Sequence, residues 1–227
     1  MKNTSLPCLT FNLVRLQLPF FMPLLLIEAG LAVLAVAAMQ ILFPVLAPAD
    51  FKELLSVPSL LLLLFGMILN LLASISLFST GWSLGVEMSI SRRRILAAAW
   101  GAGLLFSALL LVIPLLCETV LAFRWDGFGS MLLFRIPWWG WAAMLFLAVS
   151  SACFLCAIVQ VFRSAGALVL WALFMGVCLL APSKSLQPTL ETIRLEDLLA
   201  VLPWLLLAFF VAEAVAGTVM LSRASIH

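Results

Sequence analysis

Two carboxylates lie at comparable positions inside long apolar runs of this sequence. Glu28 stands about nine residues into the first run, and Glu213 about eight residues from the end of the last one. At about 1.5 Å of helix rise per residue, both are predicted at a depth of roughly 12–13 Å. An ionisable group in hydrocarbon costs about 2.5–3.5 kcal/mol on insertion scales, so it usually faces protein or water. With Asn70, the two glutamates form a candidate intramembrane polar site. The alternative is a protonated or hydrogen-bonded glutamate with a structural role.

Other polar residues stand alone in the apolar runs. Glu118 follows Pro114 by one turn near the end of its run, where we expect it to face a vestibule or the lipid headgroups. Pro114 removes a backbone hydrogen bond and should kink its helix. Asn70 and Gln40 are uncharged and are expected to form hydrogen bonds between helices.

A second candidate site is the stretch Gly81–Arg94, GWSLGVEMSISRRR, which separates two apolar runs. It holds three adjacent arginines, at positions 92–94, in a chain with 12 basic residues, together with the carboxylate Glu87. The segment Trp82–Ile90 is amphipathic, which predicts a short helix on the membrane surface. The stretch is therefore the best candidate for a docking surface. The alternative is that the arginines only determine the orientation of the neighbouring span.

Several kinds of chemistry have no motif in this chain. A phosphate-binding loop needs a lysine directly after a glycine. No lysine does so, at Lys2, Lys52 or Lys184. The only histidine is His227, so no histidine-based metal site is predicted. The pair Cys153 and Cys156 resembles a redox motif, but its position in mid-span favours simple helix packing. We therefore predict a chain that is not an enzyme and that binds no cofactor.

The composition predicts an all-α integral membrane protein. The 227 residues are 66% hydrophobic and 10% charged, with a mean hydropathy of +1.27. A soluble domain is about 45–50% apolar and about 25% charged. Repeated apolar runs are long enough to cross about 30 Å of hydrocarbon, and a helix satisfies its own backbone hydrogen bonds there. The predicted spans are residues 20–46, 58–80, 95–123, 137–162, 165–181 and 198–221.

The domain organisation follows from these runs. Residues 20–227 are predicted to form one transmembrane domain of six helices. Residues 1–19 are predicted to form a tail and a short interfacial helix, with Arg15 on its wet side and Pro19 ending it. No segment has the composition of a linker or of a soluble domain.

The distribution of basic residues predicts the orientation. With the N-terminus inside, the inner segments hold seven basic residues: Lys2, Arg15, Arg92, Arg93, Arg94, Arg163 and Arg223. The outer joins hold five: Lys52, Arg124, Arg135, Lys184 and Arg194. Glu87 is the one acidic residue in an inner join. Both termini and the arginine triplet are therefore predicted to be cytoplasmic.

Six spans, an interfacial N-terminal helix, the absence of a nucleotide site and the join GWSLGVEMSISRRRILAAAW resemble the ABC-2 type permeases of bacterial ABC transporters. In that family the join reads as a glycine, a short helix and a G-[IV]-S-[RK]-[RK]-like stretch opening span three. The nearest match here is Ile90–Arg94, preceded by Ser89 instead of glycine. The likeness in architecture covers essentially the whole chain, and the motif covers about fifteen residues.

The resemblance implies a half-transporter in the bacterial cytoplasmic membrane, most simply an exporter. Two permease subunits would rest on separate ATP-binding cassette subunits, which carry ATP and Mg, while membrane lipid surrounds the spans and no nucleic acid is bound. The join would be the coupling helix that seats in the ATPase, with a minor contact near residue 163. The residues implied in ATPase coupling are Trp82, Glu87, Met88, Ser91, Arg92, Arg93, Arg94 and Arg163.

Two alternatives belong to other classes. One is the membrane substrate-binding component of an importer, for which small residues on the first span would provide docking contacts. Those residues are Ala29, Gly30, Ala32, Ala35, Ala37 and Ala38. The other is a six-span scaffold protein without transport activity. The arginine-rich inner join favours the permease interpretation.

Overall fold

The computed structural model describes residues 6–43, 54–87, 91–125, 131–162 and 195–223, together with residues 165, 166, 168, 172 and 175. The helices are α1 (Leu6–Leu42), α2 (Val57–Glu87), α3 (Arg92–Trp125), α4 (Trp138–Phe162) and α5 (Leu195–Arg223), and Leu133–Arg135 form one 3₁₀ turn. Within these ranges no strand occurs, so the prediction of an all-α fold is confirmed for them.

Among the described residues, five helices are long and apolar enough to cross a membrane, which is consistent with a membrane-embedded protein. They cover five of the six spans expected from the sequence. The remaining predicted span, residues 165–181, lies mostly outside the described residues. The orientation of the helices stays a prediction.

The N-terminal helix differs from the prediction. A separate short helix ending at Pro19 is wrong, because α1 continues through Pro19 and Pro23 to Leu42. Each proline removes one backbone hydrogen bond, whereas ending a helix leaves several donors and acceptors unsatisfied. In an apolar environment the second loss is larger, so the helix continues. Arg15 is exposed.

The chain divides into two compact units, Met1–Val149 and Ser150–His227, with the boundary inside α4. In the first unit, α3 carries buried residues along nearly its whole length, from Ile95 to Ala122. A β-carbon added at Gly103 would lie 3.1 Å from a methyl of Val149, so the glycine permits a close helix contact.

The register between the helices of the first unit follows from three contacts between α2 and α3. The rings of Phe78 and Trp100 meet edge to face at 6.0 Å between centroids. Asn70 is hydrogen-bonded to Ser107, and Leu63 shares a buried cluster with Leu111. The residue numbers rise on one helix as they fall on the other, so α2 and α3 are antiparallel. This register places Gly66 level with Leu110.

Helix α1 runs parallel to α3. A β-carbon added at Gly101 would lie 3.2 Å from Thr10, and the rings of Phe21 and Phe106 stack at 3.9 Å between centroids. The buried residues of α1 are Leu13, Gln17, Phe21, Glu28 and Met39.

In the second unit, α5 crosses α4 at Gly217. A β-carbon there would lie 2.9 Å from the backbone nitrogen of Phe154, so any larger residue would push the two backbones apart. The side chains of Cys153 and Thr218 meet at this crossing, with 4.0 Å between Sγ and Oγ1.

Candidate functional site

Glu28 lies in the core of the first unit. Its side chain is 0% exposed, and neither carboxyl oxygen has a hydrogen-bond partner among the described residues. The carboxyl group rests on Gly66 of α2, where an added β-carbon would collide with Oε1 and would lie 3.1 Å from Cδ. Gly66 therefore provides the space that the carboxyl group occupies.

A chain of polar side chains begins one turn further along α2. The amide of Asn70 donates to the hydroxyl of Ser107 on α3 at 2.7 Å. That hydroxyl donates to the backbone carbonyl of Leu145 on α4 at 2.9 Å. Ser74 also donates to the Asn70 carbonyl oxygen at 3.5 Å. The predicted interhelical hydrogen bond of Asn70 is therefore confirmed, and it links three helices.

Glu118 does not face a vestibule or the headgroups, and that prediction is wrong. It is 0% exposed, and its Oε1 accepts the backbone N–H groups of Leu132 and Leu133 at 3.0 and 3.1 Å. The first N–H groups of a helical turn lack intrahelical acceptors. The carboxylate of α3 supplies one acceptor for two of them and so holds the 3₁₀ turn against the helix. Its Oε2 is buried, with no hydrogen-bond partner in the described ranges.

Glu213 belongs to the second unit and is half-buried. It accepts hydrogen bonds from the hydroxyls of Ser151 at 2.9 Å and Ser150 at 3.3 Å. The three carboxylates of the apolar runs thus each lie against protein in their own unit. A site shared by Glu28, Asn70 and Glu213 stays a prediction, because Glu213 belongs to a different unit from the other two.

The end of α2 also departs from the prediction. A separate surface helix from Trp82 is wrong, because residues 81–87 continue α2 without a break. Trp82 is 5% exposed, and Leu13 of α1 lies 3.2 Å from where a β-carbon of Gly81 would stand. No proline interrupts this stretch, and the indole gains more from burial against the bundle than from a position at the surface. Glu87 is the last residue of α2, whereas Met88 and Arg163 lie outside the described residues.

The start of α3 is formed by Ser91 and the three arginines. The carbonyl of Ser91 accepts the N–H groups of Arg94 and Ile95 at 2.9 and 3.2 Å, which makes Ser91 the N-cap residue. Arg93 and Arg94 are exposed. The guanidinium of Arg92 lies 5.6 Å from the centroid of the Trp82 ring, within the range of a cation–π contact. The structure therefore brings Trp82 and Arg92 together across the join.

Three arginines in the first turn of a helix oppose its dipole, because the N-terminal end carries a partial positive charge. The triplet at positions 92–94 is therefore not explained by the stability of α3. Its placement favours an external partner or a role in membrane orientation.

Among the described residues, no group of three or more His, Cys, Asp or Glu side chains could hold a metal ion. Cys153 and Cys156 are both buried.

Sequence reasoning missed the partners of the carboxylates. Gly66, Ser150 and Ser151 stood unremarked in apolar runs, and so did Ser107, the acceptor of Asn70. Hydroxyls inside an apolar run were the available signal, since a buried hydroxyl needs a hydrogen-bond partner.

No protein-family model, curated protein or solved structure matches this chain.

Proposed function

We propose that the chain is the membrane-spanning permease subunit of an ATP-driven transporter of the ABC-2 type, working in export in a bacterial cytoplasmic membrane. It would pair with a second permease subunit and rest on separate ATP-binding cassette subunits. Its termini would face the cytoplasm, where the end of α2 and the start of α3 would contact the ATPase.

The observation that supports this proposal is the contact between Arg92 and Trp82. It ties the first turn of α3 to the last turns of α2, at 5.6 Å from guanidinium to ring centroid. Arg93 and Arg94 remain exposed beside it. A docking surface needs charges on a rigid support, because side chains that are already held lose less entropy on binding.

The same contacts would transmit a displacement of the end of α2 to the neighbouring helices. Because α2 is continuous from Val57 to Glu87, a displacement of its end would move Asn70 in the same rigid element. Asn70 is hydrogen-bonded to α3 and, through Ser107, to α4. Movement at the proposed ATPase contact would therefore reach three helices through direct contacts.

The proposal is tested by purifying the tagged chain from its native membranes and identifying the bound proteins by mass spectrometry. We expect an ATP-binding cassette subunit, with ATP hydrolysis by the complex. The double variant Arg93→Glu/Arg94→Glu should lose that subunit, whereas Arg223→Glu, an exposed arginine in the last turn of α5, should retain it. Finding no ATPase with the wild-type chain, or equal recovery with both variants, would contradict the proposal.

A further inference from the structure

The described surroundings of the Glu28 carboxyl group do not stabilise a negative charge. It is fully buried, and in the part of the chain that the structure describes no donor lies within hydrogen-bond distance of either oxygen. An isolated carboxylate in a low-dielectric interior is far more costly than a neutral acid. The environment therefore favours the protonated group, provided that its O–H finds an acceptor.

No cation on the described lengths of α1, α2 or α3 lies close to Glu28 along the helix axis. On α1, Arg15 is 13 residues away, or about 20 Å along the helix. On α3, Arg94 and Arg124 are 16 and 14 residues from Leu110, which lies level with Gly66, and these separations are about 24 and 21 Å. The described α2 residues carry no charge before Glu87, and α4 has none before Val149.

The other titratable groups of α3 that face this region are Cys117 and Glu118. Cys117 is buried with Met39 and Leu62 in one apolar cluster. Glu118 is eight residues beyond Leu110, about 12 Å along the axis, and its Oε1 is hydrogen-bonded to Leu132 and Leu133. Neither group provides a positive charge for Glu28.

An acceptor is available at the same level of the bundle. Pro114 is buried inside α3 and has no N–H group, so the carbonyl of Leu110, four residues earlier, loses its helical donor. The α2–α3 register places Leu110 level with Gly66, on which the Glu28 carboxyl group rests. A buried carbonyl that has lost its helical donor and a buried carboxylic acid each lower their free energy by forming one hydrogen bond.

We propose that Glu28 is an intramembrane proton-binding site, in which the neutral acid donates its O–H to the backbone carbonyl of Leu110. The ligand is a single proton. A movement that separates α1 from α2 at Gly66 would admit water, and the acid would then ionise to a carboxylate and pass its proton to that water. Proton release would thus accompany opening between these helices, whatever drives the opening. The site does not depend on the proposed ATPase partner.

The experiment is infrared spectroscopy of the full chain in lipid nanodiscs at pH 7. A neutral acid shows a carbonyl stretch that a carboxylate lacks. We expect Glu28→Gln to remove one acid band, whereas the matched variants Glu118→Gln and Glu213→Gln leave that band in place. Loss of a carboxylate band in Glu28→Gln, as a bound metal cation would require, would overturn the proposal. So would the absence of any acid band in the folded wild-type chain, a result that needs no variant.

The acceptor is tested separately with Pro114→Ala, which returns an N–H group to α3 and gives the Leu110 carbonyl a helical donor. The acid band of Glu28 should then move to higher frequency, as expected of a weaker hydrogen bond. An unchanged band in this variant would refute Leu110 as the acceptor.

Discussion

The amide of Asn70 on α2 and the hydroxyl of Ser107 on α3 are joined by a buried hydrogen bond of 2.7 Å. The same hydroxyl donates to the Leu145 carbonyl, so one serine connects α2 and α4. Interhelical hydrogen bonds in membrane proteins contribute about 0.6 kcal/mol on average and up to about 1.7 kcal/mol. This pair is a candidate for the upper end of that range, since it is fully buried.

The first prediction is that Asn70→Ala and Ser107→Ala each lower the free energy of unfolding by about 1 kcal/mol. Their effects should not add in the double variant, because both remove the same bond. The measurement is reversible unfolding in mixed micelles. Ser83→Ala, which removes a local bond to the Thr80 carbonyl, is the control and should have little effect. Strict additivity of the two substitutions would argue against the bond.

The second prediction concerns Gly66. Gly66→Ala places a methyl group on the Glu28 carboxyl, and such overpacking costs about 1–3 kcal/mol. Gly30→Ala is the matched control, because nothing lies within 4 Å of its added β-carbon. We expect a lower melting temperature for the first variant only, with partial recovery in Gly66→Ala/Glu28→Ala. Equal melting temperatures for the two glycine variants would contradict the contact.

The third prediction concerns Glu118. Glu118→Leu leaves the N–H groups of Leu132 and Leu133 without their acceptor, at about 1–3 kcal/mol for the buried group of Leu133 and less for the part-buried group of Leu132. Glu118→Gln retains an acceptor oxygen and should cost less. Hydrogen exchange should accelerate at Leu132 and Leu133 in the leucine variant. Thr119→Val, at an exposed neighbouring position, should leave both amides protected, and equally fast exchange there would show that the effect is not specific to Glu118.

The fourth prediction tests the crossing of α4 and α5. Thr218→Cys should form a disulfide with the native Cys153 on mild oxidation, because the two side chains already meet at 4.0 Å. Val219→Cys is the control, because residue 219 is exposed. Protease digestion and mass spectrometry would identify the linked peptides. Linkage through position 219 and none through 218 would require a different rotation of α5.

The fifth prediction tests orientation with single cysteines in a cysteine-free background. A membrane-impermeant maleimide should label Lys52→Cys in intact cells, and Arg93→Cys only after permeabilisation. Two arginines remain in the second variant, which preserves most of the positive charge of the join. Labelling of position 93 in intact cells would reverse the assignment of sides.

The positions of the described helices could be predicted from the sequence because hydropathy is a local property of each apolar run. Length and hydropathy locate a span without knowledge of its neighbours. The break at Pro19 and the surface helix at Trp82 were wrong because both depended on packing: α1 continues through its prolines, and the Trp82 ring is buried in the bundle. A proline or an amphipathic pattern cannot reveal how much contact the neighbouring helix offers.

The candidate site was predictable in part. Glu28, Asn70 and Glu213 could be singled out from the sequence because polar residues stand out in apolar runs, but a site that they share stays a prediction. The burial and the hydrogen bonds of Glu118 could not be predicted, because its partners lie in a turn that begins 14 residues later. These partners are backbone N–H groups, which every residue except proline has, so the side chains of that turn do not indicate the contact. The role of Gly66 was equally hidden, because a glycine that makes room for a carboxyl group looks the same in sequence as any other glycine.

The unbroken length of α1 bears on the kind of bilayer that suits this protein. Its 37 residues extend about 55 Å, whereas the hydrocarbon layer is about 30 Å thick and the whole bilayer about 40–45 Å. Even at a tilt of about 40°, the upper end of the observed range, the helix would project about 42 Å along the membrane normal. It must therefore lean steeply or carry apolar turns into the headgroups. In both cases the tilt of α1 depends on the local thickness of the bilayer. A change in acyl-chain length should therefore change the angle at which α1 packs against α2 and α3.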